Sequence, residues 1–192
     1  MGEPAPTTSP LVRRYSLEEF FALEPPADGG HYELIGGVLY MVPPPDWPHG
    51  RAGSNLNAIL VRYQLSHPGT CRVVIPRSGV QRTPDTWLEP DLMLVTQDRF
   101  DRVAKQLDGA DLVVEISGSR SAVYDRTTKA DTYAALGVRE LWLVDLDRQT
   151  LEQRVLSAAG RLETAGVFCG AEVVESAVFP GLRASPDEIF GG

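Results

Sequence analysis

The chain has 192 residues, 43% of them hydrophobic and 23% charged, which suffices for a domain with its own core and argues against wholesale disorder. A formal net charge of −8 argues against a protein that grips nucleic acid through a generally basic surface, while leaving room for a local basic cleft. Two cysteines, Cys71 and Cys169, without CxxC spacing argue against a disulfide scaffold or a structural zinc site and leave free thiols as the default.

Residues 1–15 read as a flexible tail, and 16–192 as one domain. The start is rich in Pro, Thr and Ala and lacks the basic, then apolar pattern of a signal peptide. No apolar run approaches the roughly 20 residues of a membrane span. The expectation is a soluble cytoplasmic protein without a membrane partner.

Ser16-Leu17-Glu18-Glu19 is a capping box and predicts a short helix to about Leu23. Tyr32-Glu33-Leu34-Ile35 and Val38-Leu39-Tyr40-Met41-Val42 flank Gly36-Gly37, the signal of a β-hairpin with a two-residue turn. After Pro43-Pro44-Pro45, Asp46 can cap a helix running to Leu65, with Leu56, Ile59, Leu60 and Tyr63 at helical spacing. Strands are predicted over 71–76 and 79–83, and again around Asp91. A short surface helix is predicted over 98–105.

The run around Glu115 reads as a strand, 119–136 as a helix stopped by Gly137, and 138–144 as another apolar strand. Residues 151–178 read as a β-meander, and Ser185-Pro186-Asp187-Glu188 caps a last helical turn. The alternation gives a mixed α/β or α+β domain: a central mixed sheet with helices, an N-terminal hairpin and a C-terminal meander.

Two acids stand out. Asp91 lies in Leu88-Glu89-Pro90-Asp91-Leu92-Met93-Leu94-Val95, and Glu115 in Asp111-Leu112-Val113-Val114-Glu115-Ile116-Ser117. A carboxylate inside such apolar runs costs several kcal/mol unless a cation or hydrogen-bond donors face it. By strand alternation, Asp91 shares a face with Met93 and Val95, and Glu115 with Val113 and Ser117. On adjacent strands the two acids would converge on one cation. Oxygen ligands favour Mg²⁺ or Mn²⁺. Lys129, on the following helix, would stabilise charge on a phosphorane or orient the attacking water. Asp125, one turn earlier, is spaced for a simple ion pair with it.

These segments resemble the Uma-two endonuclease family of the PD-(D/E)xK nuclease superfamily. The resemblance runs through Tyr32-Glu33-Leu34-Ile35, Pro90-Asp91-Leu92, Leu112-Val113-Val114-Glu115-Ile116, Tyr124-Asp125-Arg126-Thr127-Thr128-Lys129 and the stretch from Gly137 to Asp145, in that order. It implies a restriction endonuclease-like core and a Mg²⁺- or Mn²⁺-dependent hydrolase that cuts phosphodiester bonds in nucleic acid, with DNA the expected substrate. It also implies catalytic roles for Asp91, Glu115, Lys129 and Glu33, and metal ligation by Asp91, Glu115 and Ile116. The superfamily lysine usually stands two residues after the second acid; here Ser117 holds that place, and the family's helical lysine corresponds to Lys129. Gly36-Gly37 and Ser117-Gly118-Ser119 also depart from the usual Asp-Gly and Ser-Pro-Ser, without removing a charge.

Plainer readings stand beside this one. Asp91 would merely open a strand, Glu115 would form a buried salt bridge with Lys129 or Arg126, and Glu33 would be a hairpin surface residue. Trp47, Trp87 and Trp142 are expected to pack, and His49 to be structural. Arg51, Arg77, Arg82, Arg120 and Arg126 are expected to be surface residues rather than a phosphate groove. An inactive nuclease-fold binding or regulatory protein is the alternative function, and a glycosidase with paired carboxylates a third. A nuclease of this size has little surface to embrace a duplex and needs two sites to cut both strands. A homodimer through Leu39, Met41 and Val42 is therefore expected.

Overall fold

The structure is a computed structural model that describes residues 13–103, 105–118 and 125–191, the side chains of Asp125 and Arg126 excepted. Most of the expected tail, all but residues 13–15, lies outside the described residues, as do the start of the 119–136 helix, Arg120 and the expected Asp125–Lys129 pair.

Helix α1 (Leu17–Phe21) starts on the expected capping box: Ser16 accepts from Glu19 N, and Glu19 reaches back to Ser16 N. Strands β1 (His31–Ile35) and β2 (Val38–Val42) form the hairpin, in register Ile35 opposite Val38. Its turn puts Gly36 at φ 54° and Gly37 at φ 79°, a conformation open to Gly at no steric cost, which is why the departure from Asp-Gly leaves the turn intact. The hairpin is a sheet of its own, docked by reciprocal backbone bonds between Leu34 and Trp87 at 2.9 and 2.7 Å. Helix α2 (Trp47–Ser66) is capped by Asp46, with Pro48 in its first turn, and buries Ala52, Leu56, Ile59, Leu60 and Tyr63.

A six-stranded sheet forms the centre. Its order is β3 (Cys71–Val74), β4 (Leu92–Thr96), β5 (Leu112–Ser117), β6 (Glu140–Asp145), β7 (Thr150–Leu156) and β8 (Leu162–Cys169). Only β5 and β6 are parallel; a parallel pair needs a crossover, and the helical segment between them supplies it. That segment is a π-helical turn at Asp125–Lys129 followed by α4 (Ala130–Ala135). Gly137, at φ 78°, ends it. The side chains of the central strands alternate between two cores. Leu92, Leu94, Leu112, Val114 and Ile116 pack under α2, and Met93, Val95, Val113, Leu141 and Leu143 pack with Ala130, Tyr133 and Leu136. The sheet is thus sandwiched between helices, as expected.

Several expectations change in detail. The 79–83 strand reduces to isolated bridges from Val80 to Leu88 and Leu107, because Pro84 follows at once and cannot donate to a ladder. The surface helix is α3 (Gln97–Asp101), capped by Thr96. The meander runs through β7 and β8 as part of the central sheet, while β9 (Val174–Glu175) and β10 (Arg183–Ala184) pair separately. Helix α5 (Pro186–Phe190) has its capping box. Trp142 is buried, and Trp87 packs against Phe20 and Phe21, but Trp47 is 81% exposed on the solvent side of α2. His31 lies in β1, and His67 caps the C-terminus of α2.

Candidate active site

Glu115 stands in the middle of a strand whose every residue is buried. It shares a face with Val113, so its side chain enters the core that α4 covers. Lys129 reaches that core from the π-helical turn, and its Nζ lies 3.2 Å from Glu115 Oε1. Glu33 arrives from the hairpin on the other side, with Oε2 3.0 Å from the same Nζ. Exposure of Glu33, Glu115 and Lys129 is 0%, 3% and 4%. The reading of Glu33 as a surface residue therefore fails: the docked hairpin carries it into the core.

Two further contacts fix the carboxylates. Glu89 N donates to Glu33 Oε1 at 3.0 Å. The Tyr133 hydroxyl donates to Glu115 Oε1. Tyr133, fully buried on α4, escaped the sequence reading. Two signals were available: it stands four residues after Lys129, on the same helical face, and a buried tyrosine hydroxyl needs a partner.

Asp91 lies one residue before β4, not inside it. The antiparallel register puts Leu92 opposite Val114; one step further, Asp91 stands opposite Glu115. Asp91 Oδ2 accepts the Ile116 N–H at 2.7 Å, and Oδ1 lies 3.1 Å from His49 Nε2, on the first turn of α2. The structure thus brings Glu33, Glu115 and Lys129 into one ion-paired cluster. It sets Asp91 beside that cluster and adds His49 and Tyr133 around it. Ile116 takes part through its backbone, its side chain being in the opposite core.

Three carboxylates meet here: Glu33 and Glu115 face Lys129 Nζ, and Asp91 faces His49 Nε2. Carboxylates at this depth call for cationic or hydrogen-bonding partners. Among the described residues, no group of three His, Cys, Asp or Glu side chains could hold a metal ion by itself. Mg²⁺ does not require one: it binds through one or two carboxylates and keeps several waters. The oxygen set of Asp91, Glu115 and the Ile116 carbonyl fits that chemistry, because each carboxylate oxygen can accept more than one partner. His31, near the site, has its pKa lowered by burial, against the opposing pull of Glu33 and Glu89.

Among described residues no helix is long and apolar enough to cross a membrane. The profile of the Uma2 family, described as "Putative restriction endonuclease", matches residues 17–187. No curated protein matches the chain. Among solved structures, a "putative nuclease belonging to DUF820" from Anabaena variabilis superposes with a TM-score of 0.76 at 21% identity, covering 92% of this chain and 97% of that one. The type IIG restriction endonuclease BpuSI gives a TM-score of 0.40 at 14% identity, over 76% of this chain and 16% of that much longer one.

Proposed function

The chain belongs to the Uma2 family, and from that premise we propose that it is a Mg²⁺- or Mn²⁺-dependent endonuclease that hydrolyses phosphodiester bonds in DNA. One observation carries the reading: acids from three separate segments come together, Glu33 and Glu115 on the buried Lys129 and Asp91 opposite Glu115 on the next strand. Two carboxylates side by side on adjacent strands are the kind of oxygen pair that a divalent cation takes up. Asp91, Glu115 and the Ile116 carbonyl would hold the metal, which supplies Lewis-acid polarisation of the phosphodiester and a more acidic water.

The remaining groups do the positioning. Tyr133 fixes the rotamer of Glu115, and the Ile116 N–H fixes Asp91. Glu33 holds Lys129 at the depth of the acids. The Lys129 ammonium is then ready to orient the attacking water or to offset charge developing on the phosphate. We read residues 16–192 as the working domain. We also propose a homodimer, so that two sites can address two strands; Met41, exposed on β2, would contribute to the contact.

The second reading is a nuclease-fold protein that binds without cutting. The closed state of Lys129, engaged by both Glu33 and Glu115, favours it. Incubating supercoiled plasmid with the protein in Mg²⁺, Mn²⁺ or EDTA separates the two. The nuclease reading expects nicked and linear DNA with either metal and intact plasmid in EDTA. Intact plasmid under every condition, with DNA bound, would favour the binding protein.

A further inference from the structure

Arg77 is built in an unusual way. Its φ is 67°, in the left-handed region that a non-glycine residue seldom adopts. Such strain persists only where surroundings impose it, and it gathers at functional sites. Arg77 lies on the turn leaving β3. Because β3 pairs with β4 with Val74 opposite Met93, the chain leaves the sheet at the end where Asp91 stands. Val80 then exchanges backbone bonds with Leu88, at 2.8 and 3.3 Å. That pairing lays the Arg77 turn alongside Glu89-Pro90-Asp91.

One anchor holds the side chain there. Arg77 Nε lies 3.4 Å from Glu89 Oε2, with the arginine side chain 60% exposed and the glutamate 14%. Glu89 is itself fixed: Trp87 Nε1 donates to its Oε1 at 3.1 Å, and its own N–H donates to Glu33. Its Oε2 makes no hydrogen bond among the described residues, so the contact with Arg77 is electrostatic. The guanidinium, with five donors in a planar fork, is therefore steered to the site while most of the fork faces solvent. A turn that only needed this backbone would be served better by glycine. A positive group at the edge of an acidic site, in a chain of net charge −8, offsets the repulsion a polyanion meets there.

We propose that Arg77 is a substrate-binding residue, contacting a DNA backbone phosphate next to the one that is cut. This inference rests on the nuclease reading. It assigns a role to one of five arginines that the sequence left as ordinary surface.

The test is the salt dependence of binding to a fluorescently labelled 20-base-pair duplex, with Ca²⁺ replacing Mg²⁺, for the unmutated protein, Arg77→Gly and Arg77→Lys. Loss of one phosphate contact makes the slope of log K against log salt shallower by about 0.9. Arg77→Gly should show that change and bind several-fold more weakly at low salt, yet melt no lower than the unmutated protein, since glycine relieves the φ strain. Arg77→Lys keeps the charge and should keep the slope. An Arg77→Gly variant with an unchanged slope, or one that only melts lower, overturns this inference alone. Failure of the unmutated protein to bind the duplex at any salt overturns the nuclease reading and this inference with it.

Discussion

Glu115 and Glu140 lie on neighbouring parallel strands, and both are buried, yet they solve the problem of a buried carboxylate in opposite ways. Glu140 is saturated by neutral donors. Trp142 Nε1 and Gln153 Nε2 each donate to Oε1 at 2.7 Å, and Ser176 Oγ and Val178 N donate to Oε2 at 2.5 and 3.2 Å. Those donors come from β6, β7 and the segment after β9, so the acid pins the C-terminal part of the chain to the sheet. Glu115 instead shares one lysine with another acid and has a third acid beside it. A carboxylate held by four neutral donors is a structural pin; acids gathered on adjacent elements are what the proposed cation site needs. Burial alone does not distinguish them; the partners do.

The largest effect that would break this comparison belongs to the pin. Glu140→Ala strands the Trp142 indole N–H and the Ser176 hydroxyl, while Gln153 Nε2 keeps Glu175 O and Val178 N keeps Ser176 Oγ; it should cost on the order of 3–5 kcal/mol in urea unfolding, the same with and without Mg²⁺. A loss below about 1 kcal/mol would mean that Glu140 is not a pin. Lys129→Ala comes next: turnover should fall by about 10²–10³-fold, the usual cost of one transition-state electrostatic contact, with metal binding retained. Plasmid nicking that continues at the unmutated rate would remove Lys129 from the chemistry.

Glu115→Gln sharpens the contrast by a smaller margin. At a metal concentration 100 times the Kd, the unmutated protein should gain about 2.7 kcal/mol from binding. Thermal melts of Glu115→Gln should show almost none of that gain, and an equal gain in both proteins would exclude Glu115 as a ligand. The smallest effect concerns His31. Burial, outweighing Glu33 and Glu89, lowers its folded pKa below the ordinary value of about 6.5. The unfolded chain then binds the extra proton first, so the stability that His31 contributes is present above that value and is lost as pH falls below it. His31→Gln should therefore lose less stability than the unmutated protein between pH 7 and pH 5. Parallel curves would show that His31 does not contribute to the pH dependence.

Much of this was legible in the sequence, for local reasons. Capping boxes at Ser16 and Ser185, the Gly36-Gly37 turn, the helical spacing from Leu56 to Tyr63 and the alternation around Asp91 and Glu115 are all short-range signals, and the structure follows them. What was missed is long-range. The depth of Glu33 depends on the hairpin docking on Trp87, some fifty residues away in sequence. Tyr133 needed the crossover to lie over β5, and the seat of Arg77 needed the Val80–Leu88 bridge. Glu140, which follows the charged Arg139, was not singled out as a buried acid, because its donors from Gln153 and Ser176 arrive only in the folded chain. Trp47, expected to pack, is left exposed because the face of α2 carrying Leu56 and Tyr63 points the other way.

We propose that the cluster of Glu33, Asp91 and Glu115 takes up a divalent cation in addition to its internal ion pairs with Lys129. Calorimetric titration of Mn²⁺ into the unmutated protein and into Asp91→Asn tests it most directly. A cation site gives saturable binding by the unmutated protein and loss of that binding in Asp91→Asn, with the metal-free variant melting at or above the unmutated temperature because a repelling charge is gone. No detectable Mn²⁺ binding by the unmutated protein, with Asp91→Asn melting much lower, would contradict it.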